Sequence, residues 1–94
     1  MLKTLEDLIK IIRERKLSSD DSSYTSKLLR DKSLSKEKVK EEISELIEAV
    51  ENNSNKVHEA ADVLYHLLVY LEGNGVGIED IMDELEKRKK KKES

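Results

Sequence analysis

Residues 56–72 read KVHEAADVLYHLLVYLE, and this run decides the fold. Val57, Ala60, Ala61, Val63, Leu64, Tyr65, Leu67, Leu68, Val69 and Leu71 place apolar side chains on nearly every side of a 3.6-residue period. No Gly or Pro interrupts the run, and it is longer than an ordinary strand. A helix that is apolar all round is buried all round. In a chain of 94 residues one neighbouring helix cannot cover it, so a subunit interface is expected as well as an internal core. One narrow sector is polar: Glu59, Asp62 and His66 stand three and four residues apart and share a side. Carboxylates buried among apolar residues need cations or donors, because an unpaired buried charge is costly.

The flanking sequence reads as more helix. Asn52–Asn55 (NNSN) is a turn, since Asn and Ser bond their own backbone and tolerate left-handed conformations. Before it, a helix is expected from about Lys36 to Glu51. Its core stripe would be Val39, Ile43, Leu46, Ile47 and Val50, its N-cap Ser35, with a break over Lys32–Ser35. Thr25–Asp31 forms a short helix with Leu28 and Leu29 inward, and Ser18–Ser23 (SSDDSS) is a loop. A first helix spans about Thr4 to Lys16, capped by Thr4, with Leu5, Leu8, Ile9 and Ile12 on one face. Gly73–Gly77 (GNGVG) ends the long apolar helix. A last helix, Ile78 to about Lys89, packs through Ile78, Ile81, Met82 and Leu85. The expected fold is all-α, an antiparallel helical bundle completed by dimerisation. Residues 1–88 make one domain and 89–94 a basic, disordered tail.

The net charge of −3 and pI near 5.5 exclude a general basic surface for nucleic acid. The only basic run, KRKKKK at 87–92, reads as a solvated like-charge block. Without Cys there is no disulfide, thiolate metal site or Cys nucleophile. The charged N-terminal stretch MLKTLEDLIK is neither a signal peptide nor a membrane span, and a cytoplasmic protein is expected.

The chemistry lies in two acid pairs. Glu42 and Glu45 flank the apolar stripe of their helix, while Glu41 and Glu48 point further towards water. Across the NNSN turn stand Glu59 and Asp62. Either pair alone is commonly a solvated face. Two pairs on adjacent helices predict one ledge of four carboxylates, and hard oxygen ligands in that number suit Mg²⁺, with Mn²⁺ as a substitute. His66 extends the Glu59/Asp62 stripe as either a packing histidine or a phosphate or metal-water contact; His58 reads as a surface histidine. No Gly-rich phosphate loop and no nucleophile elbow is present.

The pattern Glu42-x-x-Glu45 … Glu59-x-x-Asp62 resembles that of the all-α, MazG-like nucleotide pyrophosphohydrolases. Read with its flanks, the chain is similar to the phosphoribosyl-ATP pyrophosphatases of histidine biosynthesis. The flanks are Ser23-Tyr24-Thr25 with Lys27-Leu28-Leu29, Lys38-Val39, Glu59 to Leu68 (EAADVLYHLL) and Glu84-Leu85-x-x-Arg88. The likeness runs from Leu5 to Arg88; Lys40 departs from it, standing where the family often has Gly.

The resemblance implies a Mg²⁺-dependent dimer that hydrolyses the α–β phosphoanhydride of phosphoribosyl-ATP, giving phosphoribosyl-AMP and pyrophosphate. Glu42, Glu45, Glu59 and Asp62 would hold the metal, and Glu41 would be a further catalytic acid. Substrate contacts would come from Ser23, Tyr24, Thr25, Lys27, Arg30, Lys38, His66 and Arg88, with Arg13 a further candidate. Each base is equally readable as surface charge, and Ser23–Thr25 as a helix cap. Two rivals stand beside this reading: a house-cleaning (d)NTP pyrophosphohydrolase of the same fold, and a non-catalytic helical dimerisation module. Fold alone separates none of them.

Overall fold

The computed structural model describes residues 1–93, and the side chains of 1–91. It contains five helices and, among the described residues, no strand: α1 Lys3–Leu17, α2 Tyr24–Arg30, α3 Lys32–Glu51, α4 Lys56–Gly73 and α5 Ile78–Glu93. The all-α expectation is met.

The core is made where α1, α2 and α4 meet. Ile9, Ile12, Leu28, Leu68 and Val69 are buried, with Leu5, Leu8, Leu29, Leu34, Tyr65 and Ile78 packed around them. The expected inward faces of α1 and α2 are therefore observed. Burying each of Ile12, Leu28 and Val69 contributes about 1.5–3 kcal/mol. The most extensive helix–helix contact is between α3 and α4. Their connecting turn uses two Asn in the left-handed region, Asn53 (φ 51°) and Asn55 (φ 54°), which short amide side chains tolerate. Asn53 lets the Ser54 N–H reach back to the Ala49 carbonyl at 3.0 Å. Gly75 (φ 77°) does the same after α4, where the Val76 N–H donates to the Leu71 carbonyl at 2.9 Å.

Several expectations are corrected. Thr4 is not a cap: α1 begins at Lys3 after Leu2, which makes no side-chain cap bond, and Lys3 pairs with Asp7 one turn on. Ser35 is not a cap either. It is buried inside α3, and the cap is Asp31, whose carboxylate accepts from the Leu34 N–H at 3.0 Å. Asp31 closes α2 and opens α3 at once, so the expected break over 32–35 shrinks to one residue. A carboxylate that satisfies an orphan N–H outweighs the weak breaking tendency of Ser33 and Ser35.

The expected core stripe of α3 is corrected as well. Ile43, Ile47 and Val50 are 40%, 55% and 55% exposed, and the buried residues are Ser35, Glu42 and Ala49, seven apart. Val39 and Leu46 of the expected stripe are half-buried, beside the small and acidic residues that meet α4, while Ile43, Ile47 and Val50 face away from their own chain. On α4, Val57 and Leu64 are likewise exposed. In α5 Ile78 and Ile81 are half-buried, but Met82 and Leu85 are exposed. The helix crosses the expected domain limit at residue 88 and continues to Glu93, since nothing from 86 to 93 breaks a helix; Ser94 of the expected tail lies outside the described residues.

Candidate active site at the α3–α4 seam

The acids of α3 and α4 meet at their shared seam. Glu42, Glu45 and Glu59 each offer a carboxylate oxygen, and these oxygens lie within 4.8 Å of one another. His58, Glu59 and Asp62 form a second group of the same tightness, so Glu59 belongs to both. The spacing follows from the helix: residues three and four apart face one way, and the four-residue turn folds α4 back onto α3.

Two oxygens in this cluster, Glu42 Oε2 and Glu59 Oε2, are buried and have no hydrogen-bond partner. Burial, then hydrogen bonding and charge from Glu45, push the Glu42 carboxyl above the usual carboxylate range; Asp62 adds to this and His66 opposes it. Orphaned buried carboxylate oxygens beside further carboxylates are what a hard divalent cation satisfies. The donor set is oxygen only at Glu42/Glu45/Glu59, which fits Mg²⁺ or Mn²⁺ better than a soft metal. Next to the cluster an open cavity of about 260 Å³ is lined by Glu45, Glu48, Glu59 and the turn residues Asn52, Ser54 and Asn55.

Glu41 is not brought into the cluster. It is exposed and pairs with Lys38 at 3.4 Å, on the side of α3 that approaches Tyr24. Ser23 caps α2: its Oγ accepts from the Ser26 N–H at 3.0 Å and lies 2.9 Å from Ser26 Oγ. Tyr24 donates its hydroxyl to His66 Nε2 at 2.9 Å, while His66 Nδ1–H donates to the Asp62 carbonyl at 2.8 Å. A carbonyl can only accept, so in the neutral ring the proton sits on Nδ1 and Nε2 is the acceptor. Both nitrogens of the buried His66 are thus engaged inside the protein. Thr25 Oγ1 meets the Tyr65 hydroxyl.

The bases are more dispersed. Lys27 and Arg30 line an open basic pocket of about 550 Å³ with Asp21, Asp31 and Lys32, and Arg30 also holds the Ser18 carbonyl (2.8 Å) and Asp21. Arg88 pairs with Glu84 along α5, among α5 residues and Val76. Arg13 is spent on structure: it contacts Glu72 Oε2 at 2.9 Å and Glu79 Oε1 at 2.7 Å, tying α1 to α4 and α5. Lys40 is exposed and paired with Glu37, on the solvent side of α3.

Two features escaped the sequence reading. Tyr65 was legible only as an apolar residue, although a buried-bodied Tyr needs a partner for its hydroxyl. Glu72, buried at 7% exposure, was given no role from sequence; it holds Arg13 through its carboxylate and Lys16 Nζ through its carbonyl (2.7 Å).

Residues 5–89 match the family model described as phosphoribosyl-ATP pyrophosphohydrolase. The chain is 44% identical over 88 residues to the phosphoribosyl-ATP pyrophosphatase of Methylobacterium nodulans, covering 90% of this chain and 82% of that protein. To the phosphoribosyl-ATP pyrophosphatase of Methanoculleus marisnigri it is 43% identical over 93 residues, covering 92% and 94%. To the histidine biosynthesis bifunctional protein HisIE of Pyrococcus furiosus it is 39% identical over 90 residues, 95% of this chain and 43% of that one. With a family model spanning nearly its whole length and relatives this close, the chain belongs to the phosphoribosyl-ATP pyrophosphohydrolase family.

Proposed function

We infer that this protein is a phosphoribosyl-ATP pyrophosphatase of histidine biosynthesis, hydrolysing the α–β phosphoanhydride to release phosphoribosyl-AMP and pyrophosphate. The observation that carries the reading is the acid cluster at the α3–α4 seam, with its two orphaned carboxylate oxygens, in a chain of this family.

Glu42, Glu45, Glu59 and Asp62 are the residues that would hold Mg²⁺, with Mn²⁺ as a substitute. The cation would supply charge neutralisation on the phosphates and acidify the attacking water. The chain's own groups do the rest. Carboxylates at the seam orient a water in line with the scissile bond and take its proton; Glu41, at the rim beside Lys38, is a further acid for this task. Ser23, Tyr24 and Thr25 stand at the start of α2 as substrate contacts, with hydroxyls that are also bonded to Ser26, His66 and Tyr65. Lys27, Arg30 and Lys38 offer positive charge on the phosphate side, and Arg88 joins them only if α5 is brought to a site. His66, with both nitrogens engaged, contributes through Tyr24 and not as a free donor.

Dimerisation completes the reading. The stripe Ile43, Ile47 and Val50, with Val57 and Leu64 on α4, leaves an apolar surface that a second copy would cover in an antiparallel helical bundle. A charged nucleotide substrate argues for the cytoplasm. None of the described helices is long and apolar enough to cross a membrane.

The test is pyrophosphate release from phosphoribosyl-ATP beside ATP and dCTP, with and without Mg²⁺. Metal-dependent release from phosphoribosyl-ATP alone is expected. Release from ATP or dCTP instead would move the protein to the house-cleaning pyrophosphohydrolases, and no release from any would leave a helical dimerisation module.

A further inference from the structure

The contacts that hold α2 to α4 lie one turn beyond the acids. Glu59 and Asp62 face the seam, and Tyr65 and His66 follow three and four residues after Asp62, about 6 Å further along the same rigid helix. Each engages one member of the Ser23-Tyr24-Thr25 triplet: His66 Nε2 takes the Tyr24 hydroxyl, and the Tyr65 hydroxyl meets Thr25 Oγ1. The rings also pack together. Tyr24 and Tyr65 are stacked with centroids 6.3 Å apart, and His66 meets Tyr65 edge-on at 5.0 Å. The Asp62 carbonyl fixes the His66 ring, so the acceptor that holds Tyr24 is oriented by the backbone of an acid in the cluster. Tyr24 is still 46% exposed: its hydroxyl is tethered and part of its ring packs on Tyr65 and His66, while the remainder is open to a ligand.

We propose that Tyr65 and His66 are positioning residues, a two-point latch that holds the α2 N-terminus at a set distance from the acid cluster. Neither touches the reacting atoms. Their effect passes through Tyr24 and Thr25, so α4 serves as one ruler for both the acids and the substrate-facing triplet. Packing alone does not account for the pairs: a Phe at 65 would fill the same space, and the hydroxyl is needed only for Thr25. This rests on the activity proposed above, because it concerns how the substrate is gripped.

Tyr65→Phe keeps the ring and removes only the hydroxyl. With phosphoribosyl-ATP and saturating Mg²⁺, it is expected to raise KM about five- to tenfold, the order of one lost net hydrogen bond, with kcat within about twofold. Thr25→Val is expected to raise KM also, and the Tyr65→Phe/Thr25→Val double variant to be no worse than the worse single, since both remove one bond. His66→Gln, which keeps a group able to accept from Tyr24, should retain more of the wild-type KM than His66→Ala. An unchanged KM in Tyr65→Phe, fully additive effects in the double variant, or a fall in kcat alone would each overturn the latch. Amide exchange separates this from the activity reading. Tyr65→Phe should speed exchange at Ser26 and Lys27, whose N–H groups bond Ser23, and unchanged exchange overturns the latch whether or not the wild type turns over. A silent wild type overturns only the activity.

Discussion

Glu42 on α3 and Glu59 on α4 bring carboxylate oxygens within 4.8 Å of each other across the seam, and each carries a buried oxygen with no hydrogen-bond partner. Two like charges held this way oppose folding unless a cation lies between them. The seam is thus a place where the fold carries a local electrostatic cost, which the proposed cation would relieve.

Neutralising one of the two should stabilise the metal-free protein and remove its function. Glu42→Gln is expected to raise the melting temperature in EDTA by roughly 4–8 °C, the equivalent of about 1 kcal/mol in a domain of this size, and to abolish metal-dependent pyrophosphate release. Circular dichroism should show full helicity. A lower melting temperature in EDTA would mean that the buried carboxylate is already satisfied without metal.

Cation binding should be visible without turnover. Mg²⁺ or Mn²⁺ at 100 times its dissociation constant adds about 2.7 kcal/mol to the native state, so thermal scans with and without the metal should separate by well over 5 °C. Asp62→Asn and Glu45→Gln should each shrink that separation. Equal shifts in wild type and both variants would place the cation elsewhere.

The Arg13 clamp supplies a pH signature away from the site. Hydrogen bonding to Arg13 holds the Glu79 carboxyl down to about 2, below its ordinary 4.5. A depressed carboxylate contributes stability that is present above its unfolded value and is lost as pH falls through its folded one. The contribution is therefore whole above about pH 4.5 and disappears towards pH 2. Glu79→Gln should lower the melting temperature at neutral pH and flatten its decline between pH 4.5 and 2. Parallel wild-type and variant curves across that window would show that the ion pair does not report on folding.

The outward apolar residues of α3 test the proposed subunit interface. Ile47, 55% exposed, sits between Ile43 and Val50, so Ile47→Lys should shift sedimentation at micromolar concentration from dimer to monomer. Wild-type protein that sediments as a monomer would remove the interface altogether.

Much of this is legible in the amino-acid sequence alone. The all-round apolar run in 56–72 announced a helix at the centre of the structure, and Leu28, Ile9 and Ile12 were readable as inward from their spacing. The two acid pairs were readable as neighbours across a short turn, but not as two groups that share Glu59, one with Glu42 and Glu45 and the other with His58 and Asp62. Caps were less legible: Asp31, Ser33 and Ser35 can all cap, and only the backbone path decides which oxygen meets a free N–H. Periodicity showed that α3 has an apolar stripe and an acidic flank, but not which of them would face its own chain. A hydrophobic pattern states that a surface must be hidden, not by what. The tertiary structure decided that Glu42 and Ala49 turn inward while Ile43, Ile47 and Val50 turn out. It also decided that Arg13 serves Glu72 and Glu79, and that Tyr65 and His66 reach Thr25 and Tyr24 from some 40 residues away. Periods within a helix are local and written in sequence; partners between helices depend on the angle and register of packing, which no single segment contains.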